Sequence, residues 1–423
     1  MSKIAVIGTG YVGLTTGACF AHIGHDVVCA DIDPVKVEQL QRGEVPILEA
    51  GLDNLVREGI DGGRLRFVLG AAAAATDCDF AYLCVPTPQG ADGSADLSYI
   101  EDAAQEIGPV LPTEAVVVNK STVPVGSTRV VERALCRSDV SVVSNPEFLR
   151  EGSAIHDFLH PDRIVIGAED QDAAVRVSAL YLGITAPIIV TDPASAETIK
   201  YAANAFLATK ISFINAVAAV CEAVGADIKD VALGMGYDTR IGHEFLKPGP
   251  GWGGSCFPKD TRAMVRIAED AGYDFNLLKG VVTVNDEQLN RVAEKITALA
   301  GGSVDGKRIA VWGLTFKART DDMRESPSLE IIRRLLDRGA VVSGYDPSNP
   351  GPIDGIEVVD DPYAAVEGAE VLAVLTEWDE FRWLDLDKVA GVMAARNVVD
   401  ARNLLDRAAL LRRGFEYQGI GRN

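Results

Sequence analysis

A thiol closes the least ordinary run of the chain. Residues 245–260 read FLKPGPGWGGSCFPKD, and the interleaving of Gly249, Gly251, Gly253 and Gly254 with Pro248 and Pro250 excludes a continuing helix or a central strand. Backbone of this kind forms a shaped loop that a ligand can approach closely. Cys256 follows the glycine pair and precedes Pro258, Lys259 and Asp260, which puts the thiol beside a cation and a carboxylate with little side-chain bulk around it. The thiolate is the reactive form of cysteine, and open, electropositive surroundings favour it. The chain holds seven cysteines, and packing is the ordinary fate of each. Cys19, Cys29, Cys84 and Cys221 lie among Ala, Val, Leu or Phe and read as small core residues, and Cys78 and Cys136 have no distinguishing neighbours. Only Cys256 follows a glycine pair.

A second group of residues could hold a dinucleotide. Residues 3–8, KIAVIG, form a short β-branched strand that runs into Gly8-Thr-Gly10-Tyr11-Val12-Gly13 and then into the apolar stretch LTTGACFAHIG. This is strand, glycine turn, helix, and a second strand, DVVCAD, ends in Asp31 about 20 residues further on, the context that gives a GxGxxG pattern its meaning. Gly8 permits the turn, Gly10 lets backbone reach a pyrophosphate, Gly13 lets helix and strand pack, and the helix N-terminus faces the phosphates. Asp31 would accept from a ribose hydroxyl and repel a 2'-phosphate, so NAD is expected over NADP, with Lys36 nearby as the one feature that relaxes the preference. Further strands end in Pro86-Thr87-Pro88, in Lys120-Ser121-Thr122 and in the run NPEFLREG. Strands alternating with helices imply a parallel sheet, whose ligand residues stand at the carboxyl ends of the strands. Thr87, Thr122 and Glu147 occupy such ends. Glu147 and Glu151 are four apart and share a face if that segment is helical, where mutual repulsion would raise one of them towards a general base. The alternative is a solvated acidic turn.

The elements that position these groups are legible as patterns. Asp192-Pro193 reads as a helix cap with Pro in the first turn, and apolar residues at helical spacing then run from about Ala196 to Val224. Such a helix suits a strut between domains and a dimer interface. Lys200 and Asn204 share a face near its start, where they either snorkel or serve as donors to an oxyanion. The last third repeats the first: KRIAVWG echoes KIAVIG, and AVVSGYDP echoes DVVCADIDP. After Gly313 the loop LTFKARTDDMRESPS lacks the later glycines and carries Lys317, Arg319 and Arg324, with Arg402 at the end of a later strand. A dinucleotide grip is replaced by a cationic one, suited to another phosphate-bearing ligand, unless Asp321, Asp322 and Glu325 simply pair with it. The expected fold is α/β: two doubly wound Rossmann-like domains, 1–191 and 303–423, joined by a long central helix and a helical middle domain, 192–302.

The totals limit the remaining possibilities. A chain of 423 residues, 48% hydrophobic and 24% charged, is soluble and globular with two or three domains. It enters a strand directly at MSKIAVIG, and no uninterrupted apolar run reaches the ~18 residues of a membrane span, so a cytoplasmic location is expected. Scattered cysteines without paired CxxC spacing make neither a disulfide framework nor a zinc site, and no metal is expected. A net charge of -21 opposes nucleic acid and anionic membranes, so any anionic ligand depends on local cations, glycine-rich backbone and helix N-termini.

Taken together, FLKPGPGWGGSCFPKD, GTGYVG, STVPVGST, NPEFLREG, the Lys200/Asn204 helix and FKARTDDMRESPS resemble the UDP-glucose/GDP-mannose dehydrogenase family over essentially the whole chain. The resemblance implies oxidation of a nucleotide-sugar C6 alcohol to a carboxylate with two NAD and water. It makes Cys256 the nucleophile that holds the aldehyde as a thiohemiacetal and then a thioester. Lys200 and Asn204 match oxyanion-stabilising positions, with Lys200 in neutral form an alternative base. Asp260, Thr122 and Glu151 match positions that handle protons and the hydrolytic water, and Glu147 matches a further active-site acid. Tyr11, Val12, Lys36, Thr87, Thr122, Glu151 and Lys259 join the glycines and Asp31 around NAD. The UDP-sugar is placed against Phe245, Leu246, Gly249 and Gly253, against Lys317 and Arg402, and against Glu147, Phe148 and Leu149. Arg240 matches a residue that reaches a neighbouring subunit's substrate, which supports a homodimer. FLKPGPGWGG favours UDP-glucose over GDP-mannose or UDP-N-acetylhexosamines, with Trp252 standing where many relatives have Tyr or Phe. Two other readings remain: a one-step β-hydroxyacid dehydrogenase, which would not need Cys256, and a nucleotide-sugar sensor without turnover.

Overall fold

Short runs of buried β-branched residues, each followed by a turn and a helix, build two separate sheets. The computed structural model describes residues 1–88, 90 and 95–422, and the chain divides into two compact units, Met1–Ala203 and Asn204–Asn423. The first unit contains β1 (Lys3–Ile7), β2 (Asp26–Asp31), β3 (Leu65–Leu69), β4 (Phe80–Leu83), β5 (Val116–Asn119), β6 (Ser141–Ser144), β7 (Ile164–Ala168) and β8 (Ile188–Thr191). They lie in the order β3-β2-β1-β4-β5-β6-β7-β8. Along β1, Ile4 and Val6 enter one core while Ala5 and Ile7 enter the other, the period-two alternation of a strand covered on both faces. Helix Tyr11–His22 covers the first face through Leu14, Ala18 and Phe20, and Ile100, Ala104 and Val131 cover the second.

The expectation of a wholly parallel sheet fails at one pair, since β6 and β7 run antiparallel. The connection between them carries helix Ala154–Leu159, whose Phe158 packs edge-on against Phe20 with ring centroids 5.1 Å apart. The chain therefore turns back beside β6 without the crossover that a parallel neighbour requires.

Asp192 caps the long helix Pro193–Val224 as its sequence implies, accepting from the Ser195 N–H at 2.8 Å and the Ser195 hydroxyl at 2.6 Å. By length and hydropathy this helix could cross a membrane, which a count of uninterrupted apolar runs overlooks. Its buried positions, however, include Glu197, Lys200, Asn204, Ser212 and Asn215. Each is hydrogen-bonded within its own unit, as buried polar groups of a protein interior are.

The second unit contains β9 (Arg308–Trp312), β10 (Val341–Tyr345), β11 (Ile356–Val358), β12 (Val371–Val374), β13 (Asn397–Asp400) and β14 (Glu416–Gly419), in the order β11-β10-β9-β12-β13-β14 and parallel throughout. This is the doubly wound order of a nucleotide fold. Ile309 and Val311 share a core with Ile214 and Ala218 of the long helix and with Leu289, Val292 and Ile296 of helix Asn276–Leu299. The helical middle region is thus continuous with one face of this sheet.

Glu197 shows how the first unit fixes its loops. Its buried carboxylate accepts from the Gly126 N–H at 2.6 Å, the Thr128 N–H at 3.0 Å and the Thr128 hydroxyl at 2.8 Å, and so caps helix Ser127–Leu135, whose own N-cap Gly126 has no side chain to do it. Burial pushes the Glu197 carboxyl upward and these donors oppose the shift. Glu197→Ala is expected to cost about 2–3 kcal/mol, because buried donors lose their acceptor. The urea midpoint reads this cost, with exposed Glu169→Ala as a control that costs under ~0.5 kcal/mol. A midpoint unmoved by Glu197→Ala would show that water caps the helix equally well.

Candidate active site

In the first unit the dinucleotide edge forms where β1 and β4 part. Helix Tyr11–His22 starts after Gly10, which is extended and offers no side-chain cap, so its first-turn N–H groups remain available to an anion. A side chain at Gly10 would meet open space, whereas a Cβ at Gly13 would lie 1.9 Å from the Gly8 carbonyl oxygen. The third glycine is therefore required by helix–strand packing. Asp31 Oδ2 accepts from the Thr9 N–H at 3.1 Å, from the Thr9 hydroxyl and from Lys36 Nζ at 3.0 Å, while Oδ1 takes only the Asp33 N–H at 3.2 Å. Burial would push this carboxyl up, but the hydrogen bonds from Thr9, Lys36 and Asp33 outweigh it and hold Asp31 at about 2. An ionised carboxylate with lone pairs left on Oδ1 suits ribose hydroxyls. Lys36 is committed to Asp31 rather than to a 2'-phosphate. On the same carboxyl edge the Thr87 hydroxyl donates to the Thr122 carbonyl at 2.9 Å.

The acidic run after β6 departs from the helical expectation. Residues 145–150 are irregular and 151–152 form a turn, since Pro146 and the hydrogen bonds of Glu147 shape the segment locally. Glu147 is buried, and its Oε1 lies 2.7 Å from Lys200 Nζ while Oε2 accepts from the Leu149 N–H at 2.7 Å. The solvated acidic turn is thus excluded for Glu147. So is the raised carboxyl: burial pushes it up, but the charge and hydrogen bond of Lys200, the Leu149 N–H and the charge of Lys120 carry it below its ordinary 4.5. Lys200 also lies 5.5 Å from the centre of the Phe148 ring, whose face the Arg163 guanidinium covers at 3.7 Å.

In the second unit Cys256 is the N-cap of helix Phe257–Asp270, a position whose partial positive charge favours a thiolate. Its sulfur lies 3.6 Å from the Ser255 hydroxyl. One turn into that helix Asp260 is buried, accepts from Asn204 Nδ2 at 2.6 Å, and has Lys259 Nζ 2.9 Å from its other oxygen, out of line for a hydrogen bond. The glycine loop is clamped from two helices. Asn215 accepts from the Gly249 N–H at 2.9 Å and Gln288 donates to the Gly249 carbonyl at 2.8 Å. Asn285 both accepts from the Trp252 N–H at 2.8 Å and donates to its carbonyl at 3.0 Å, and Trp252 Nε1 donates to Ser212 at 2.9 Å. A Cβ at Gly253 would lie 2.1 Å from the Glu325 carbonyl oxygen, so the loop touches the backbone of the 314–326 cationic loop. Phe245 opens the glycine loop at φ 61, an uncommon conformation for an aromatic residue, and Leu246 is buried. Arg402 approaches Gly249, donates to the Leu375 carbonyl at 2.8 Å and to the Phe316 carbonyl at 3.1 Å, and pairs with Glu377. Lys317 lies 5.1 Å from the Phe316 ring centre. Arg240 is exposed and paired with Asp238 at 2.6 Å.

The structure therefore groups Glu147, Phe148 and Lys200 in one unit and Asn204, Cys256, Lys259 and Asp260 with Gly249, Gly253 and Arg402 in the other. Lys200 and Asn204 are one turn apart on one helix. Sequence reasoning did not single out Glu49, Lys120, Asn215, Asn285 or Gln288. Lys120 had a signal, since it stands at a strand's carboxyl end. The other four are ordinary polar residues whose partners are distant in sequence. Among the described residues no three His, Cys, Asp or Glu cluster as a metal site would require.

Comparison with known proteins gives a consistent picture. Residues 2–185 match the NAD binding domain of the UDP-glucose/GDP-mannose dehydrogenase family, 194–287 its central domain, and 310–407 its UDP binding domain. Across 99% of both proteins the chain is 48% identical to the UDP-glucose 6-dehydrogenase of Rhizobium meliloti. It is 46% identical to UDP-glucose 6-dehydrogenase TuaD of Bacillus subtilis, over 100% of this chain and 94% of that one. The solved structure of a UDP-glucose dehydrogenase from the hyperthermophilic archaeon Pyrobaculum islandicum aligns with a TM-score of 0.92 at 39% identity, covering 100% of this chain and 98% of that one.

The buried ion pair yields a stability prediction. Folding lowers the Glu147 carboxyl below 4.5, so its contribution is present above the unfolded value and is lost as the pH falls through the folded one. At neutral pH Glu147→Gln leaves the Lys200 ammonium buried without its counter-charge, and is expected to cost about 3–5 kcal/mol. Adding Lys200→Met should recover a large part of that loss. Chemical denaturation of the single and double variants checks this; equal losses in both would mean that packing, not charge pairing, sets the stability here.

Proposed function

The chain belongs to the UDP-glucose/GDP-mannose dehydrogenase family, and from that membership we propose that it is an NAD-dependent enzyme oxidising the C6 alcohol of UDP-glucose to the carboxylate of UDP-glucuronate. The observation in the molecule that carries this reading is Cys256 at a helix N-terminus, on a loop whose shape is set by Asn215, Asn285, Gln288 and the backbone of residue 325. A one-step alcohol dehydrogenase would have no use for that thiol.

Residues 1–191 serve as the NAD domain, 192–302 as the central region and 303–423 as the UDP-sugar domain. Gly8, Gly10, Tyr11, Val12 and Gly13 hold the pyrophosphate, Asp31 with Lys36 the ribose, and Thr87, Thr122, Glu151 and Lys259 the remainder. NAD supplies the two-electron acceptor for each of two oxidations. Lys317 and Arg402 take the diphosphate of the sugar nucleotide against Phe245, Leu246, Gly249 and Gly253, and Glu147, Phe148 and Leu149 face the sugar.

The ion pair with Glu147 at 2.7 Å favours oxyanion donation by Lys200 over the base role. In the first oxidation the C6 hydroxyl proton passes to a water bound by Thr122 and Glu151 as the aldehyde forms. The Cys256 thiolate then bonds to C6, and the carbonyl electrons become an oxyanion held by Lys200 and by the Asn204 N–H not used on Asp260. The water bound by Thr122 and Glu151 returns its proton to give the thiohemiacetal, and in the second oxidation C6 loses a hydride while the hydroxyl proton goes back to that water, which leaves the thioester. Water, deprotonated by Asp260 or Glu151, adds to the thioester; the C–S bond breaks, the thiol is regenerated and the carboxylate leaves. Covalent capture keeps the aldehyde from escaping.

Phe206, Phe213 and Val220 recur every seven residues on the long helix and are 65%, 53% and 59% exposed. We assign this stripe to a second copy of the chain, forming a homodimer in which Arg240 reaches the neighbouring subunit's substrate. A net charge of -21 and the buried polar side of the long helix support a soluble, cytoplasmic enzyme.

With excess NAD in single turnover, two NADH per UDP-glucose and UDP-glucuronate as product are expected. Cys256→Ser should lower kcat on the order of 10³-fold or more. One NADH with free aldehyde would remove covalent capture, and turnover only with GDP-mannose or a UDP-N-acetylhexosamine would change the sugar. Phe213→Glu should shift the sedimenting species from dimer towards monomer, and a wild-type chain that sediments as a monomer would refute the homodimer.

A further inference from the structure

Arg163 stands immediately before β7 and has no role in the reaction described above. It reaches the carboxyl edge of the sheet because β7 runs antiparallel to β6. Val143 pairs with Ala168 and Ser144 with Gly167, and the same register carried towards the start of β7 brings Arg163 level with Phe148. A parallel β7 would leave residue 163 at the opposite edge, away from ligands. The Arg163 guanidinium is half-buried and lies 3.7 Å from the centre of the Phe148 ring. Among the described residues it makes no ion pair and no hydrogen bond, and Asp162 acts on it only through space. A guanidinium stacks flat on an aromatic face, and the attraction strengthens as water is excluded. The ring is therefore the partner for which this charge is half-buried. The residues on either side of Phe148 are held by other bonds: Glu147 Oε2 accepts from the Leu149 N–H at 2.7 Å, and Glu147 Oε1 pairs with Lys200 Nζ at 2.7 Å, itself 5.5 Å from the ring centre.

We propose that Arg163 is a positioning residue for the nucleotide sugar: its guanidinium holds the Phe148 ring, and with it the segment 147–149 against which the sugar binds. The inference rests on the dehydrogenase reading, in which that segment faces the sugar. The reversal of β7 thereby has a use, since it delivers a cation to the ligand edge from a strand that a wholly parallel sheet would turn the other way. Lysine would serve less well, because an ammonium is a strongly hydrated point charge whereas a guanidinium covers the ring with its plane. Without the stack the ring gains rotamers, and the arriving sugar then bears the cost of ordering it. That cost falls on the bound ground state and the transition state alike, so it is read in KM for the sugar nucleotide more than in kcat.

The test is a double-variant cycle on the steady-state constants, with Arg163→Met, Phe148→Leu and the pair compared with wild type. Wild-type turnover, with two NADH per UDP-glucose, establishes the underlying reading before the variants are compared. Arg163→Met should raise KM for UDP-glucose about fivefold, the size of a partly buried cation–π contact, with kcat and KM for NAD each within about twofold of wild type. In the Phe148→Leu background, where the ring is already gone, Arg163→Met should add less than about twofold. Should the Met variant not fold, Arg163→Lys, which keeps the charge without the plane, carries the same expectation with a smaller rise. Three results would overturn the proposal: equal effects of Arg163→Met in both backgrounds, a rise in KM for NAD instead of UDP-glucose, or a lowered urea midpoint with KM for UDP-glucose unchanged. The second would place Arg163 on the dinucleotide, and the third would leave it a residue of stability alone.

Discussion

Buried carboxylates that accept backbone N–H groups hold the working loops of both sheets, and most of the remaining geometry follows from them. Glu49 accepts from the Gly152 N–H at 2.7 Å and the Ala154 N–H at 2.9 Å, next to Glu151, and also binds the Tyr11 hydroxyl at the head of the nucleotide helix. Glu197 takes the N–H groups of Gly126 and Thr128, just after Thr122. In the second unit Asp346 takes those of Leu314 at 2.7 Å and Thr315 at 3.0 Å, ahead of Lys317, and Asp400 takes those of Arg402 at 3.1 Å and Leu405 at 2.7 Å. All four acids are buried. Each of these carboxyl groups satisfies two buried N–H groups at once, so irregular backbone at the carboxyl edges is made rigid without adding strand or helix.

The two sheets put one register to two uses. Gly8 donates to the Ala30 carbonyl and Gly313 to the Tyr345 carbonyl, both at 2.8 Å, which makes Asp346 the counterpart of Asp31. Asp31 keeps Oδ1 lightly used beside an uncapped helix N-terminus. Asp346 is buried, and although its Oδ1 likewise takes one N–H, from Ser348, its Oδ2 takes the Leu314 and Thr315 N–H groups, the Thr315 hydroxyl and the Trp378 indole N–H. In the second unit the next helix begins only at Pro327. The intervening loop replaces the glycine turn, and the acid that would have met a ribose now anchors it. Loss of the later glycines and gain of Lys317 are thus two aspects of one change.

Much of this was legible in the sequence because the signals are local. The glycine turn, Asp31, the Asp192-Pro193 cap, the repeated strand patterns and the Cys256 loop each depend on residues within a few positions of one another, and so do their structures. Legibility ends where a partner lies far along the chain. Glu147 and Lys200 are 53 positions apart, and nothing at either position announces the other. The four-residue spacing of Glu147 and Glu151 suggested a helix, but Pro146 and the Leu149 N–H settle the segment as a loop. Asn215, Asn285 and Gln288 fix the glycine loop over separations of 33 to 39 residues, and amides at such positions look like any others. The antiparallel turn at β7 was likewise invisible, since strand direction depends on where a connection packs.

Reactivity among the cysteines follows from the same placement. Burial pushes Cys19, Cys78 and Cys84 up to about 12 and carries Cys29 upward as well, so these thiols stay protonated in apolar surroundings and pack as small hydrophobes. Cys256 is half-buried at a helix N-terminus with a hydroxyl 3.6 Å away, and its position is determined by elements on either side: the clamped glycine loop before it, and after it a helix whose Asp260 is bonded to Asn204. A nucleophile that must form, hold and release a carbon–sulfur bond needs a fixed position more than it needs exposure. The prolines and glycines that make 245–256 look irregular are what bring its backbone within reach of those clamps, so the least regular stretch of the chain is among its most constrained.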